Sequence, residues 1–170
     1  MGVLALKQGA DIVTDTAMAK AGISRQALEQ FNGQVFSFTG DPAVAELAKK
    51  EHTTRSAAAM VFAARNHPCA IRAVGNAPTA LLQLAEQIKG GLRPALVIAV
   101  PVGFVNVEES KLRIWDVCRE HRIPIIAAMG RKGGSTVAAA ICNALLYTAA
   151  GWLDPEARGR QQNGITGDSK

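Results

Sequence analysis

The chain has 170 residues, of which 48% are hydrophobic and 19% are charged, and its formal net charge is +5. This length fits one domain, and the composition excludes an intrinsically disordered chain, which combines low hydrophobicity with high charge. Aromatic residues make up 5% of the chain, which disfavours a nucleic-acid surface built on base stacking. The three cysteines form no CxxC pair, so we predict neither a disulfide framework nor a cysteine zinc site, and we expect a cytoplasmic protein.

Short apolar runs alternate with longer segments rich in alanine and leucine. The first residues, around 4–7, resemble the end of a helix that has no capping residue before it. Strands are then predicted, in chain order, at residues 11–14, 35–38, 70–74, 95–100 and 124–128. The fourth of these, at residues 95–100, is nearly continuous and rich in β-branched residues, which is typical of a strand in a parallel sheet that is covered on both faces.

Capping residues predict where the helices between these strands begin. Asp41 before Pro42 marks one N-terminus, and Thr53 or Thr54 marks a second. Asn76 is the predicted cap of a third helix, which ends at the glycine pair 90–91.

Two longer helices complete the predicted fold. The first covers about residues 107–121, and its inward side chains are predicted to be Leu112, Trp115 and Val117 or Cys118. The last runs from near Ser135 to about Ala150 in an apolar segment that is shorter than the ~20 residues of a membrane span, so no membrane partner is expected. We therefore predict an α/β fold, a single domain over residues 1–153 with a mainly parallel sheet of about five strands flanked by helices, and a flexible tail over 154–170.

Four predicted loops follow strands and should meet at one edge of the sheet, where parallel sheets bind ligands. These loops cover residues 15–18, 75–79, 101–104 and 130–135. In the last of them, glycines surround Arg131 and Lys132 before a helix start, which favours anion binding by backbone N–H groups and the helix dipole. A glycine-rich turn with solvated cations is the alternative, and Asp15 and Thr16 could equally cap a short helix.

The histidines give no separate site. His52, His67 and His121 have no metal-ligand spacing, and no nucleophile elbow or Ser/His/Asp set is visible. No metal site is therefore predicted.

A series of motifs in fixed order resembles the precorrin-8X methylmutase family, also called cobalt-precorrin-8 methylmutases. The matching segments are DIVTDT from Asp11, TRSAA from Thr54, GNAPTAL from Gly75, PVGF from Pro101 and GRKGGS from Gly130. The resemblance covers about residues 2–145.

The resemblance implies an isomerase of cobalamin (vitamin B12) synthesis that is an α/β homodimer and uses no added cofactor. Such an enzyme moves a methyl group from C-11 to C-12 of the corrin precursor and gives hydrogenobyrinate or its cobalt form, cobyrinate. The expected partner is thus a corrinoid rich in carboxylates, not a nucleic acid. The family's catalytic histidine is expected in a segment ahead of the first matched helix, so we assign that role to none of the three histidines.

The resemblance also implies a set of substrate-binding residues, most of them on the four loops. Carboxylates would be held by Arg55, Lys111, Arg131 and Lys132, and backbone amides at residues 75–76, 103 and 133–135 would bond the ring periphery. The implied set is Asp15, Thr16, Met18, Arg55, Ser56, Gly75, Asn76, Pro101, Gly103, Phe104, Lys111, Gly130, Arg131, Lys132, Gly133, Gly134 and Ser135.

Two alternatives stay open beside the isomerase. The chain could bind a corrinoid or a dimer partner without catalysis. It could also be a phosphate- or nucleotide-binding module, a hypothesis that depends on the glycine-rich loop alone.

Overall fold

Five short strands lie side by side in the computed structural model, which describes residues 1–153. They are β1 (Ile12–Thr14), β2 (Val35–Ser37), β3 (Ile71–Val74), β4 (Val97–Ala99) and β5 (Ile125–Ala127). All neighbouring strands pair in parallel, in the order β2-β1-β3-β4-β5. The predicted α/β fold class and all five predicted strands are confirmed, although each strand is slightly shorter than expected.

Helices connect the strands and cover both faces of the sheet. In chain order they are α1 (Gly2–Lys7), α2 (Ala17–Gly22), α3 (Arg25–Glu29), α4 (Pro42–Lys50), α5 (Arg55–Asn66), α6 (Pro78–Lys89), α7 (Val107–Glu120) and α8 (Ser135–Ala150). Asp41 and Thr54 cap α4 and α5 through their side chains, as predicted. Helix α1 has no side-chain cap, which agrees with the pattern at its first residues.

The core has two layers because strand side chains alternate between the faces of the sheet. On β3, Ile71 and Ala73 join a buried cluster with residues of α1, α3 and α8, while Val74 joins residues of α5, α6 and α7 on the other face. Helix α4 packs outside this second layer, against α5. Burial on both faces explains the nearly continuous apolar strands.

The strand order places a crevice at the middle of the sheet. The chain moves outward from β1 to the edge strand β2, and then returns to place β3 on the other side of β1. The connections after β1 and β3 therefore leave in opposite directions, and ligands bind beyond the carboxyl ends of the strands at such a point. Asp15 and Gly75, the residues that follow these two strands, lie at this position.

Two sequence predictions about helices are wrong. Helix α6 has Ala77 at its N-cap position without a side-chain cap, so Asn76 does not cap it. Leu112 on α7 is 57% exposed, because the buried stripe of that helix follows Val107, Lys111, Ile114 and Cys118 at helical spacing. Of the other residues predicted to point inward, Val117 and Cys118 are buried and Trp115 is half-buried.

Two short helices were not predicted as elements. Thr16 and Ser24 cap α2 and α3 by accepting hydrogen bonds from the backbone N–H groups of Ala19 and Ala27. The capping interpretation of Thr16 is thereby confirmed. Within residues 1–153, no helix is long and apolar enough to cross a membrane, and the predicted tail at 154–170 lies outside the described residues.

Candidate functional site

Hydrogen bonds and close contacts join the loops after β1, β3 and β4 to the loop before α8. We call these segments, residues 15–18, 75–79, 101–104 and 130–135, the rim. These turns lie at one edge of the sheet, as predicted, because all neighbouring strands are parallel.

Asp15 organises the turn between β3 and α6. One carboxylate oxygen accepts a hydrogen bond from the N–H of Gly75 at 2.9 Å, and the other accepts from Asn76 and Ala77, both at 2.8 Å. The side chain is buried, with 1% of the residue exposed. Burial raises the pKa of the Asp15 carboxyl, and the amide hydrogen bonds oppose that change. The amides of residues 75 and 76, which we expected to bond a ligand, are occupied by this carboxylate.

A second link joins the turn after β1 to the start of α8. The hydroxyl groups of Thr16 and Ser135 are 2.8 Å apart and share a hydrogen bond. Gly75 lies directly against this junction, since a Cβ atom added there would be 2.7 Å from Ser135 Cα. The loops after β1 and β3 are thus packed on the N-terminus of α8.

The glycine-rich loop also packs on the end of β4. The N–H of Gly134 donates to the Val100 carbonyl at 2.9 Å, so this amide, too, has a partner within the chain. A Cβ atom at Gly133 would lie 2.0 Å from the Val100 carbonyl oxygen, closer than any real contact. The sequence needs glycine at this position because the two backbones touch.

Lys111 lies beneath the same loop and is fully buried. Its ammonium donates to the carbonyl oxygens of Gly130 at 2.7 Å and Lys132 at 2.8 Å. Burial lowers the pKa of Lys111, and the negative charge of Glu108 opposes that change. This position does not match the expected contact between Lys111 and a ligand carboxylate, because the ammonium is covered by the loop it bonds.

The outer side of the glycine-rich loop is cationic. Arg131 and Lys132 are exposed, and Arg131 Nε lies 3.6 Å from a carboxylate oxygen of Glu108. Helix α8 follows with Gly134 at its N-cap, which offers no side chain to its first amides. A helix start with free N–H groups beside two cations attracts anions.

The rim also carries exposed apolar side chains. Phe104 is 88% exposed and Met18 is 67% exposed, and both belong to the rim. Next to the rim is a cleft of about 600 Å³, which is lined by Phe104, Asn106, Val107, Glu108, Glu109, Leu112, Arg113 and Arg131. This mixture can bind a ligand that has both an apolar body and acidic groups.

Arg55 and Ser56 reach the same edge from another helix. They are the first residues of α5, where the hydroxyl of the capping Thr54 lies 2.9 Å from that of Thr79 at the start of α6. Arg55 is exposed and Ser56 is half-buried. Their position beside α6 is compatible with the predicted binding role, although within residues 1–153 no hydrogen bond or ion pair joins them to the glycine-rich loop.

None of the three histidines belongs to the rim. His67 precedes β3 at the opposite edge, where its Nδ1 lies 2.9 Å from a carboxylate oxygen of Asp11. His121 follows α7 near the start of β5, and His52 lies in the exposed turn between α4 and α5. Glu108 and Glu109, in the first turn of α7, line the cleft beside the glycine-rich loop together with Arg131.

The positioning contacts of the site were not predicted from the residues. Asp15 and Lys111 were expected to face a ligand, but both are buried and hold backbone groups of the rim. A signal was available for Lys111, because it falls on the apolar stripe of α7 between Val107 and Ile114. For Asp15, the signal is that an acidic residue directly follows a buried strand, since a buried carboxylate needs hydrogen-bond donors within the protein.

The chain is similar in sequence to known proteins. The family model for precorrin-8X methylmutases matches residues 1–148. A cobalt-precorrin-8 methylmutase of Priestia megaterium is 41% identical over 149 residues, which are 87% of this chain and 64% of that protein. One from Salmonella typhimurium is 43% identical over 144 residues, or 84% of this chain and 65% of that protein. The chain thus spans about two thirds of the length of these relatives.

A solved structure has the same fold. The precorrin-8X methylmutase of Thermus thermophilus superimposes with a TM-score of 0.76 at 39% identity, covering 89% of this chain and 72% of the other. The family model extends over every segment of the rim. On this evidence, the chain belongs to the precorrin-8X methylmutase family.

Proposed function

We propose that the protein is an isomerase of cobalamin synthesis that converts precorrin-8X, or cobalt-precorrin-8, by moving a methyl group from C-11 to C-12. The observation that carries this proposal is the rim, where an uncapped helix start and two exposed cations adjoin apolar side chains. A corrin precursor is an apolar macrocycle with several carboxylate side chains. Its two kinds of surface match the two kinds of surface at the rim.

The reaction is an isomerisation, so the bond from the methyl carbon to C-11 breaks and a bond to C-12 forms without net loss of atoms. The protein would contribute by holding the ring in a reactive shape and by stabilising charge on its conjugated system. The described residues supply the first contribution through the rim. Carboxylates of the ligand would meet Arg131, Lys132, Arg55 and the first amides of α8.

A second candidate function is corrinoid binding without turnover. The family match favours the isomerase over this alternative, which is retained as an outcome of the test. Incubation of the purified chain with precorrin-8X separates the two functions, because hydrogenobyrinate has its own visible absorption spectrum. Formation of that spectrum supports the isomerase, whereas a bound but unchanged substrate supports the binding protein.

Removal of the exposed cations is expected to weaken ligand binding. The double substitution Arg131→Ala and Lys132→Ala should raise the Kd for hydrogenobyrinate about tenfold, because charge-assisted hydrogen bonds to carboxylates are lost. The affinity of the unmodified chain should also fall with added salt, since these charges are exposed to solvent. A titration followed by visible absorbance measures both effects.

A matched control is Lys7→Ala. Lys7 is exposed at the end of α1, close to the start of β1 and thus at the opposite edge of the sheet. Its removal changes the net charge but should leave the Kd within about twofold. Equal weakening by Lys7→Ala and by the double substitution would show that the ligand responds to net charge and not to the glycine-rich loop.

We also propose that the protein forms a homodimer through apolar side chains on the rim and next to it. Val102, Phe104, Val105, Leu112 and Met129 are all exposed, and together they give this edge an apolar surface. Surfaces of this kind mark interfaces or ligand sites. Analytical ultracentrifugation tests the proposal, and a monomer mass at micromolar concentration would contradict it.

The cytoplasmic location is part of the proposal as well. Its support is that Cys69, Cys118 and Cys142 form no disulfide in the structure. Cell fractionation tests it, and recovery of the protein from a periplasmic or extracellular fraction would contradict it.

A further inference from the structure

The buried ammonium of Lys111 has an unusual set of partners. It bonds two backbone carbonyls of one loop, and within residues 1–153 no ion pair joins it to a carboxylate. Lysine is almost never fully buried unless its charge is paired. The burial of this lysine therefore needs a reason beyond packing.

The geometry of the peptide bond supplies one. In a trans peptide the carbonyl of one residue and the N–H of the next point in opposite directions. Because the carbonyls of Gly130 and Lys132 point to the ammonium, the N–H groups of Arg131 and Gly133 point away from it. Lys111 thus fixes the direction of two N–H groups, those of Arg131 and Gly133, on alternate peptide bonds of the loop.

We propose that Lys111 is a positioning residue, which turns the N–H groups of Arg131 and Gly133 toward a carboxylate of the bound corrinoid. This inference depends on the proposed function for the identity of the ligand. The charge of Lys111 lies behind the loop and adds to the attraction, since a buried charge is poorly screened by solvent. Asp15 acts with the opposite sign on the neighbouring turn, where it draws the amides of residues 75–77 inward.

The decisive variant is Lys111→Met, which keeps the length of the side chain and removes its charge and donors. We expect the Kd for hydrogenobyrinate to rise at least about tenfold. The melting temperature should fall by only about 2 °C or less, because the lost hydrogen bonds to Gly130 and Lys132 are offset in part by the removal of a buried charge. A residue that only supported the fold would instead lose stability and affinity together.

A control and a second measurement complete the test. Lys7→Met removes an exposed lysine at the opposite edge and should alter neither the affinity nor the melting temperature. Amide hydrogen exchange by NMR, with no ligand present, should be faster at residues 131–134 in Lys111→Met than in the unmodified protein. In Lys111→Ala, added ethylammonium should slow this exchange again, whereas ethanol should not.

The outcomes separate this inference from the proposed function. If the unmodified protein fails to bind hydrogenobyrinate while exchange is faster in Lys111→Met, the ligand assignment is wrong and the role of Lys111 in setting the loop is supported. Unchanged exchange and an unchanged Kd in Lys111→Met would overturn the inference. A loss of affinity in Lys111→Met that is accompanied by a large fall in melting temperature, of about 6 °C or more, would also overturn it.

Discussion

Gly133→Ala should weaken the binding of hydrogenobyrinate about 10- to 100-fold. The new Cβ would be 2.0 Å from the Val100 carbonyl oxygen and 2.9 Å from that of Pro101, so the glycine-rich loop has to move away from β4. That movement would displace the amides of the loop, and hydrogen bonds to charged groups contribute about 1.5–3 kcal/mol. We also expect the free energy of unfolding to fall by about 1–3 kcal/mol, as for other overpacked sites.

Gly40→Ala provides the matched control. A Cβ at Gly40 meets no atom within 4 Å, and its φ angle is not in the left-handed region. This substitution should change the Kd by less than about twofold and the free energy of unfolding by less than about 0.5 kcal/mol. Titration by visible absorbance and chemical denaturation measure the two quantities. If Gly133→Ala binds as tightly as Gly40→Ala, the loop does not form the ligand site.

Asp15→Asn is expected to cost about 3 kcal/mol of the free energy of unfolding. The carboxylate accepts three backbone N–H groups, and an amide in its place would direct its own NH₂ group at one or two of them. A buried donor left without a partner costs about 1–3 kcal/mol. For a domain of this size, the melting temperature should fall by about 6–12 °C in a thermal denaturation experiment.

Asp116→Asn makes the same chemical change on the exposed surface of α7. Its melting temperature should stay within about 2 °C of the unmodified protein, as for most surface substitutions. A fall of less than about 2 °C for Asp15→Asn as well would show that the turn at residues 75–77 does not depend on the carboxylate.

The sequence predicts the sheet well because local patterns and burial agree along the strands. Val97–Ala99, for example, lies in a continuous apolar run and is buried on both faces. The same agreement holds at Asp41 and Thr54, where a capping side chain precedes an amphipathic segment. In these places the local preference and the tertiary structure favour the same conformation.

The roles of the rim residues were harder to predict, since they depend on contacts between distant segments. The carboxylate of Asp15 bonds residues 60 or more positions away, and no local pattern indicates that partner. Asn76 has the residue type of a helix cap, but the helix starts one residue later, with Ala77 at the N-cap position, while Asp15 accepts from the amides of residues 75–77. The charge of Lys111 favours a contact with a ligand. Its position on the buried stripe of α7, however, places its side chain in the interior of the protein.

We propose that the turns at the carboxyl edge of the sheet bind a polycarboxylate macrocycle. Hydrogen–deuterium exchange of the protein with and without hydrogenobyrinate tests it most directly. We predict slower exchange on binding at residues 101–106 and 131–137, and no change at residues 8–11 and 66–70 on the opposite edge. Protection that appears at the opposite edge, or no protection at the rim when the ligand is saturating, would contradict the claim.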